Sequence, residues 1–177
     1  MLRLLPLTLA AVLAQAGLAQ AGALKIQGVG ISRDVECEGR DVGIYGAENE
    51  IALTGRCDVI TMHGSGHTVS FKEGAGLSVS GVDNTVTGGR VRDITVSVTR
   101  NAVTATLVGG EQPGRLNTSG SDNRVSLVLS GPTQLRVTGA DHTVEWARAE
   151  GAPSPEVTAS GVKNVIKRKR EAARPTP

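Results

Sequence analysis

Two of the three histidines in this sequence have a spacing that could form a metal site. His63 and His67 are four residues apart and flank one predicted turn, so their imidazole rings could meet, with Glu73 as a nearby carboxylate. The third histidine, His142, is far from both in the chain. His67 and His142 also occupy a position that is asparagine in related segments, which explains them as structural residues. We therefore predict no metal site and no cofactor.

Three aspartates could supply the paired carboxylates of glycoside hydrolysis, which needs an acid and a base or nucleophile across a cleft. Asp83, Asp122 and Asp141 each stand directly before an asparagine or histidine in a recurring turn. Because the aspartates repeat with the turn, turn chemistry is the simpler explanation. A small carbohydrate-active enzyme remains the alternative function.

Short runs of Thr and Ser alternate with Val and could form a regular hydroxyl array. They are Thr68-Val69-Ser70, Thr85-Val86-Thr87 and Thr95-Val96-Ser97. Flat ladders of threonine resemble the surfaces of ice-binding solenoids, so ice or surface binding is a further alternative function. The preference of Thr for exposed strand positions explains the same pattern.

These residues all lie within one repeat. The phrase Gly-x-x-Asn/His-x-Val/Ile recurs about every 17–22 residues between Gly46 and Ile166. A fixed period of this length is typical of stacked-repeat proteins. One copy, at Val98, has lost its glycine. We predict a structural corner ladder at the Asn/His position of the seven copies: Asn49, His67, Asn84, Asn101, Asn123, His142 and Asn164.

Apolar residues fall in columns when the copies are aligned, four and two residues before the glycine and two and four after the Asn/His. Their alternation with polar residues predicts strands. The fold class is therefore all-β: a β-solenoid of about seven coils with two short strands per coil, preceded by a partial coil at Leu24, Ile26 and Gly28. An antiparallel meander or barrel is the competing fold. The repeat glycine allows a backbone angle closed to other residues, and the Asn tolerates the left-handed region and can bond along the stack.

The two ends of the chain differ from the repeat. Residues 1–23 combine Arg3, an apolar run and small residues, and predict a secretory signal peptide cleaved after Ala21 or Ala23, with an uncleaved anchor as the alternative. Residues 24–166 form the single repeat domain. We predict that residues 167–177 form a basic, disordered tail, and that its cluster of Lys167, Arg168, Lys169 and Arg170 either ends strand pairing or contacts an anionic surface.

Cys37 and Cys57 are the only cysteines and lie 20 residues apart, about one repeat. Neighbouring coils of a stack are about 4.8 Å apart, a separation that suits a disulfide. We predict a disulfide in the first coils, over free thiols, and an oxidising compartment.

The residues flanking the first copy resemble a bacterial family, domain of unknown function 3060. The likeness lies in Cys37-Glu38-Gly39, Gly46-Ala47-Glu48-Asn49 and Leu53-Thr54-Gly55-Arg56-Cys57, followed by Val59-Ile60-Thr61 and the later copies. It covers roughly residues 35–166. The resemblance implies an exported domain, secreted or associated with the envelope, and supplies no catalytic residues.

Function is therefore expected on the faces or ends of a scaffold. The formal net charge is +2, and no nucleic-acid or phosphate-binding motif stands out. We expect a non-catalytic structural, adhesive or binding module that is periplasmic or secreted. Its partner would be an unknown envelope protein or polymer, with no nucleic acid and no transmembrane segment after signal cleavage.

Overall fold

The computed structural model describes residues 22–169, and in them the chain forms thirteen strands whose pairings are all parallel. The strands are β1 (Leu24–Val29), β2 (Ser32–Glu36), β3 (Val42–Ala47), β4 (Glu50–Ser65), β5 (Thr68–Val82), β6 (Thr85–Thr99), β7 (Ala102–Val108), β8 (Gly114–Thr118), β9 (Arg124–Ser130), β10 (Thr133–Ala140), β11 (Thr143–Arg148), β12 (Glu156–Val162) and β13 (Val165–Arg168). Parallel pairing of segments one repeat apart confirms the β-solenoid and excludes the antiparallel alternative.

Each coil presents two principal faces that meet at the Gly-x-x-Asn corner. We name face A the strand segments before the corner, and face B those after it. Face A consists of β1, β3, the C-terminal parts of β4, β5 and β6, and then β8, β10 and β12. Face B consists of β2, the N-terminal parts of β4, β5 and β6, and then β7, β9, β11 and β13.

A third, short row of pairing joins face B to the next face A. In it Cys57 pairs with Gly74, Gly74 with Val91, and Val91 with Leu107. Three strands, β4, β5 and β6, run through this row without a break, and the register shifts next to it. The prediction of two short strands per coil missed it, because a segment of about two residues carries no alternation that the sequence could reveal.

The four predicted columns form the core. Val42, Ile60 and Leu77 stack in one column, and Ile51, Val69 and Val86 in another, all at most 3% exposed. Burying a side chain of this size stabilises the fold by roughly 1.5–3 kcal/mol. The short third row adds a column that contains Cys57, Val91, Leu107 and Leu129, each at most 1% exposed. Coil on coil, these columns give a continuous apolar interior.

The solenoid has eight coils rather than about seven, because the predicted partial coil is complete. β1 pairs with β3, and β2 pairs with β4. Ile31 stands where the later coils have Asn or His, and Arg33 stands where they have Val or Ile, so the repeat phrase does not identify this coil.

The two ends of the stack differ. In the first coil Ile26 is 4% exposed, whereas all seven residues of β12 in the last coil are exposed.

Pairing continues to Arg168, two residues beyond the predicted domain boundary at Ile166. The remainder of the predicted tail, Arg170 included, and the predicted signal peptide up to residue 21 lie outside the described residues. No helix in residues 22–169 has the length and apolar character to cross a bilayer.

Cys37 and Cys57 form a disulfide with a Cα–Cα distance of 4.9 Å, as the one-repeat spacing predicted. Both residues are fully buried in the first coils. The bond closes a loop over a sequence separation of 20 residues, and disulfides of this kind stabilise by roughly 2–4 kcal/mol. A buried disulfide is the form that persists in an oxidising compartment outside the cytoplasm.

Candidate functional surfaces

The corner is built by two backbone positions with positive φ. The repeat glycine is the first: Gly81 has φ +124°, and a Cβ there would lie 1.9 Å from the carbonyl oxygen of Gly64 in the preceding coil. The second is the residue before the Asn or His, for example Asp83 with φ 58°. The ladder Asn, a residue type that tolerates the left-handed conformation, does not adopt it. The residue before it adopts that conformation in every copy. It is an aspartate, a type that tolerates the left-handed region, in three copies, and Glu48, Gly66, Arg100 or Lys163 in the others.

The copy that lacks a glycine keeps the same backbone. Val98 has φ 75°, a conformation that a β-branched side chain rarely adopts. Its side chain points to solvent, with 46% of the residue exposed. The coils on both sides impose the corner geometry on Val98. Val98 pairs with Gly81 of the preceding coil, and its carbonyl oxygen accepts hydrogen bonds from Ser121 N–H at 2.9 Å and Asn123 Nδ2 at 3.2 Å in the following coil.

The predicted ladder residues lie in one row, each joined to the next coil by its own backbone N–H. The N–H donates to the side-chain acceptor of the next ladder residue at 2.9–3.3 Å. Seven such bonds run in series from Ile31 through Asn49, His67, Asn84, Asn101, Asn123 and His142 to Asn164. Most of the asparagines also donate through Nδ2 to the carbonyl oxygen four residues earlier and to the corner of the preceding coil, as Asn101 does to Ser97 and Gly81.

Histidine replaces asparagine in this row because its two ring nitrogens copy the acceptor and donor of the amide. Nδ1 of His142 accepts the N–H of Asn123 at 3.3 Å, so Nε2 carries the proton and donates to the Thr138 carbonyl oxygen at 3.0 Å. In His67, Nδ1 accepts from Asn49, while Nε2 lies near the carbonyl oxygens of His63 and Gly46 without a hydrogen bond of good geometry. Desolvation of the fully buried His67 ring lowers its pKa, against these carbonyls, which raise it.

The structure does not bring His63 and His67 together as a ligand pair. His63 is exposed on face A, whereas His67 is buried in the corner with Nδ1 already used as an acceptor. Within residues 22–169 no three His, Cys, Asp or Glu side chains are close enough to hold a metal ion.

The acidic residues that suggested glycoside chemistry are tied to structural partners or exposed on the corner. Asp83 forms a bidentate pair with Arg100 of the next coil at 2.7 and 2.9 Å, and these hydrogen bonds lower its pKa. Asp93 on face A, which the sequence did not identify as a candidate, is a second carboxylate held by arginine side chains. Burial raises the pKa of Asp93, but hydrogen bonds from Arg115 and Arg92 prevail and lower it.

The hydroxyl array predicted from the sequence is divided between the two faces. Thr68-Val69-Ser70 and Thr85-Val86-Thr87 lie on face B, whereas Thr95-Val96-Ser97 lies on face A next to Ser78-Val79-Ser80. Each face therefore carries a two-column patch of hydroxyl groups over the middle coils. Charged residues break the pattern on both faces toward the C-terminal coils, at Arg136 on face A and at Arg124 and Glu145 on face B.

Face A also carries shallow depressions. The one near the C-terminal end has a volume of about 390 Å³ and polar walls that include Arg115, Asn117, Arg136 and Glu156. Glu156 accepts a hydrogen bond from Gln134 at 2.9 Å and is the only carboxylate lining this depression. A second acid, which glycoside hydrolysis requires, does not line it.

Part of the predicted basic cluster is anchored to the last coils. Lys167 pairs with Glu145 at 3.1 Å, and Lys169 lies 3.9 Å from the same carboxylate. Arg168 stands at an inward column position, above Trp146, and is exposed because no further coil within residues 22–169 covers it. The basic side chains thus form the rim of the open end.

Comparison with known proteins finds one family. A family model described as "Protein of unknown function (DUF3060)" matches residues 44–91, which confirms the predicted resemblance over that segment. The matched residues include three ladder positions, Asn49, His67 and Asn84, and the second cysteine, Cys57. No curated protein and no solved structure has a significant match to the chain.

Proposed function

We propose that this chain, whose residues 44–91 match the family of unknown function DUF3060, is an exported, non-catalytic binding module of the cell envelope. The observation that carries the proposal is the engagement of two of the three histidines and of both cysteines in the scaffold. His67 and His142 act as ladder residues, and both cysteines are consumed in the disulfide. What the molecule offers to a partner is then its two flat faces and its basic end.

Two features support a polymer or protein surface as the partner. The hydroxyl patches on faces A and B repeat along the solenoid at the inter-strand distance of about 4.8 Å, which suits an extended ligand lying along the axis. The last coil, residues 156–169, has four basic side chains against one carboxylate, which favours an anionic surface. The disulfide and the predicted signal peptide favour the periplasm or the exterior.

The proposal is tested by measuring binding of the purified exported protein to isolated cell envelopes. We expect saturable binding that weakens when one hydroxyl patch is charged, as in the double variant Ser78→Glu and Thr95→Glu on face A. The matched variant, Thr68→Glu and Thr85→Glu on face B, identifies which face is used. Binding that is weakened neither by these variants nor by the double charge reversal Lys163→Glu and Arg168→Glu at the basic end would contradict the proposal. Release of soluble sugar fragments from the envelope, which is the signature of the enzymatic alternative, would also contradict it.

A further inference from the structure

Among residues 22–169, no strand pairs with the outer edge of β12 and β13, so the C-terminal end of the described solenoid is an open parallel strand edge. All residues of β12 are exposed, including Val157 at 43% and Val162 at 62%, and Val165 in β13 is 47% exposed. Val157 is at an inward position, and its equivalent one coil earlier, Leu135, is 1% exposed. A parallel edge of this kind can pair with another strand.

The N-terminal edge of a second copy fits this end in charge. The first two coils, residues 24–54, have six carboxylates against three basic side chains, whereas the last coil has four basic side chains against one carboxylate. Opposite charges of this kind both steer two copies toward one another and select the head-to-tail orientation over contact between like ends.

The repeat register makes the fit specific. Extending the pairing by one coil sets β12 against β1 of the next copy, with Val157 opposite Leu24 and Val162 opposite Val29, which is 71% exposed. It likewise sets β13 against β2. There Lys167, already beside Glu145, comes opposite Asp34, so opposite charges alternate along the column.

We propose that the protein associates head to tail, the C-terminal coil of one copy docking on the N-terminal coil of the next. The contact is heterologous, so it forms open chains of molecules rather than a closed dimer. Three residues limit its strength. Arg33 and Arg168 stand at inward positions of the two ends, where burying a guanidinium is unfavourable, and Ile31 has no side-chain acceptor for the N–H of Asn164.

Sedimentation velocity over a concentration series of the exported protein tests the proposal. We expect concentration-dependent growth into short oligomers in about 20 mM salt and at least a tenfold weaker association in about 500 mM salt, because rim charges are screened. Lys167→Glu should abolish association, and adding Asp34→Lys to the same chain should restore it, since the exchanged charges again attract. Lys72→Glu, the same change on an exposed mid-solenoid residue, should have no effect. Circular dichroism confirms that each variant is folded.

A second arm separates the interface from general charge attraction. Replacing Arg33 and Arg168 with valine should strengthen association at least tenfold, because an apolar column then continues across the contact. A protein that stays monomeric at all concentrations in low salt would overturn the proposal. So would oligomers that persist in Lys167→Glu, which would place the contact elsewhere. Both readouts are independent of envelope binding.

Discussion

Asn101 provides the sharpest test of the ladder. Its side chain is fully buried, and its Nδ2 donates to the carbonyl oxygens of Gly81 and Ser97, both at 2.9 Å. Its Oδ1 accepts from the N–H of Asn84 at 3.2 Å and from the Nδ2 of Asn84 at 2.9 Å. Asn101→Leu keeps the number and branching of the side-chain heavy atoms but leaves these backbone groups without partners.

The magnitude follows from the number of groups left unpaired. A buried polar group without a partner costs about 1–3 kcal/mol, and two to three backbone groups lose theirs, so we expect a loss of roughly 3–6 kcal/mol. That is a large part of the roughly 5–15 kcal/mol that stabilises a typical domain. Asn101→His should lose much less at pH 8, since Nδ1 and Nε2 reproduce one acceptor and one donor, as in His142.

Urea unfolding monitored by circular dichroism at pH 8 measures both variants. Asn117→Leu on the exposed side of face A is the matched control, and we expect it to change the free energy of unfolding by less than about 0.5 kcal/mol. If Asn101→Leu and Asn117→Leu unfold at the same urea concentration, the ladder does not stabilise the fold and the reasoning fails.

Four further predictions concern the corner and the disulfide. The pKa of His67 is lower in the folded protein than its ordinary value of 6.5, so the neutral ring stabilises the fold above that pH and the contribution is lost as the pH falls through the folded-state pKa. The melting temperature should therefore drop between pH 7.5 and 5.5, and it should drop less in the His67→Asn variant. Gly81→Ala should lower stability by roughly 2 kcal/mol or more in urea unfolding, because its Cβ would meet the Gly64 oxygen, whereas Gly110→Ala, with open space around it, should be near neutral. Val98→Gly should raise the urea midpoint by an amount equivalent to roughly 1 kcal/mol, since it relieves a positive φ; an unchanged or lower midpoint would refute the strain. Reduction of the disulfide should destabilise by roughly 2–4 kcal/mol, and melting curves that coincide with and without reductant would contradict this.

The repeat made most of the fold predictable. Identical residue types in columns such as Ile51, Val69 and Val86 can be satisfied together only if the copies stack in parallel, so the sequence determined both the fold class and the inward faces. The same spacing predicted the partnership of Cys37 with Cys57. The first coil was underestimated because Ile31 and Arg33 occupy the positions by which the phrase is recognised.

Other features could not be read from the linear pattern. Which residue of the corner adopts the left-handed conformation depends on backbone geometry, and both Asp83 and Asn84 are types that tolerate it. The hydroxyl runs at Thr85 and Thr95 look continuous in the sequence but lie on different faces, because the chain passes through the short third row between them. The pairing of Asp93 with Arg115, 22 residues on, requires knowledge of the register.

Binding of the purified exported protein to isolated envelopes, with a parallel assay for released sugar, tests the proposed function most directly. We predict saturable binding that is reduced by charging one of the two hydroxyl patches, Ser78 and Thr95 on face A or Thr68 and Thr85 on face B, with no change in the polymer. Steady release of soluble fragments, or binding indifferent to both faces and to the basic end, would contradict the account of a scaffold that works through its surfaces.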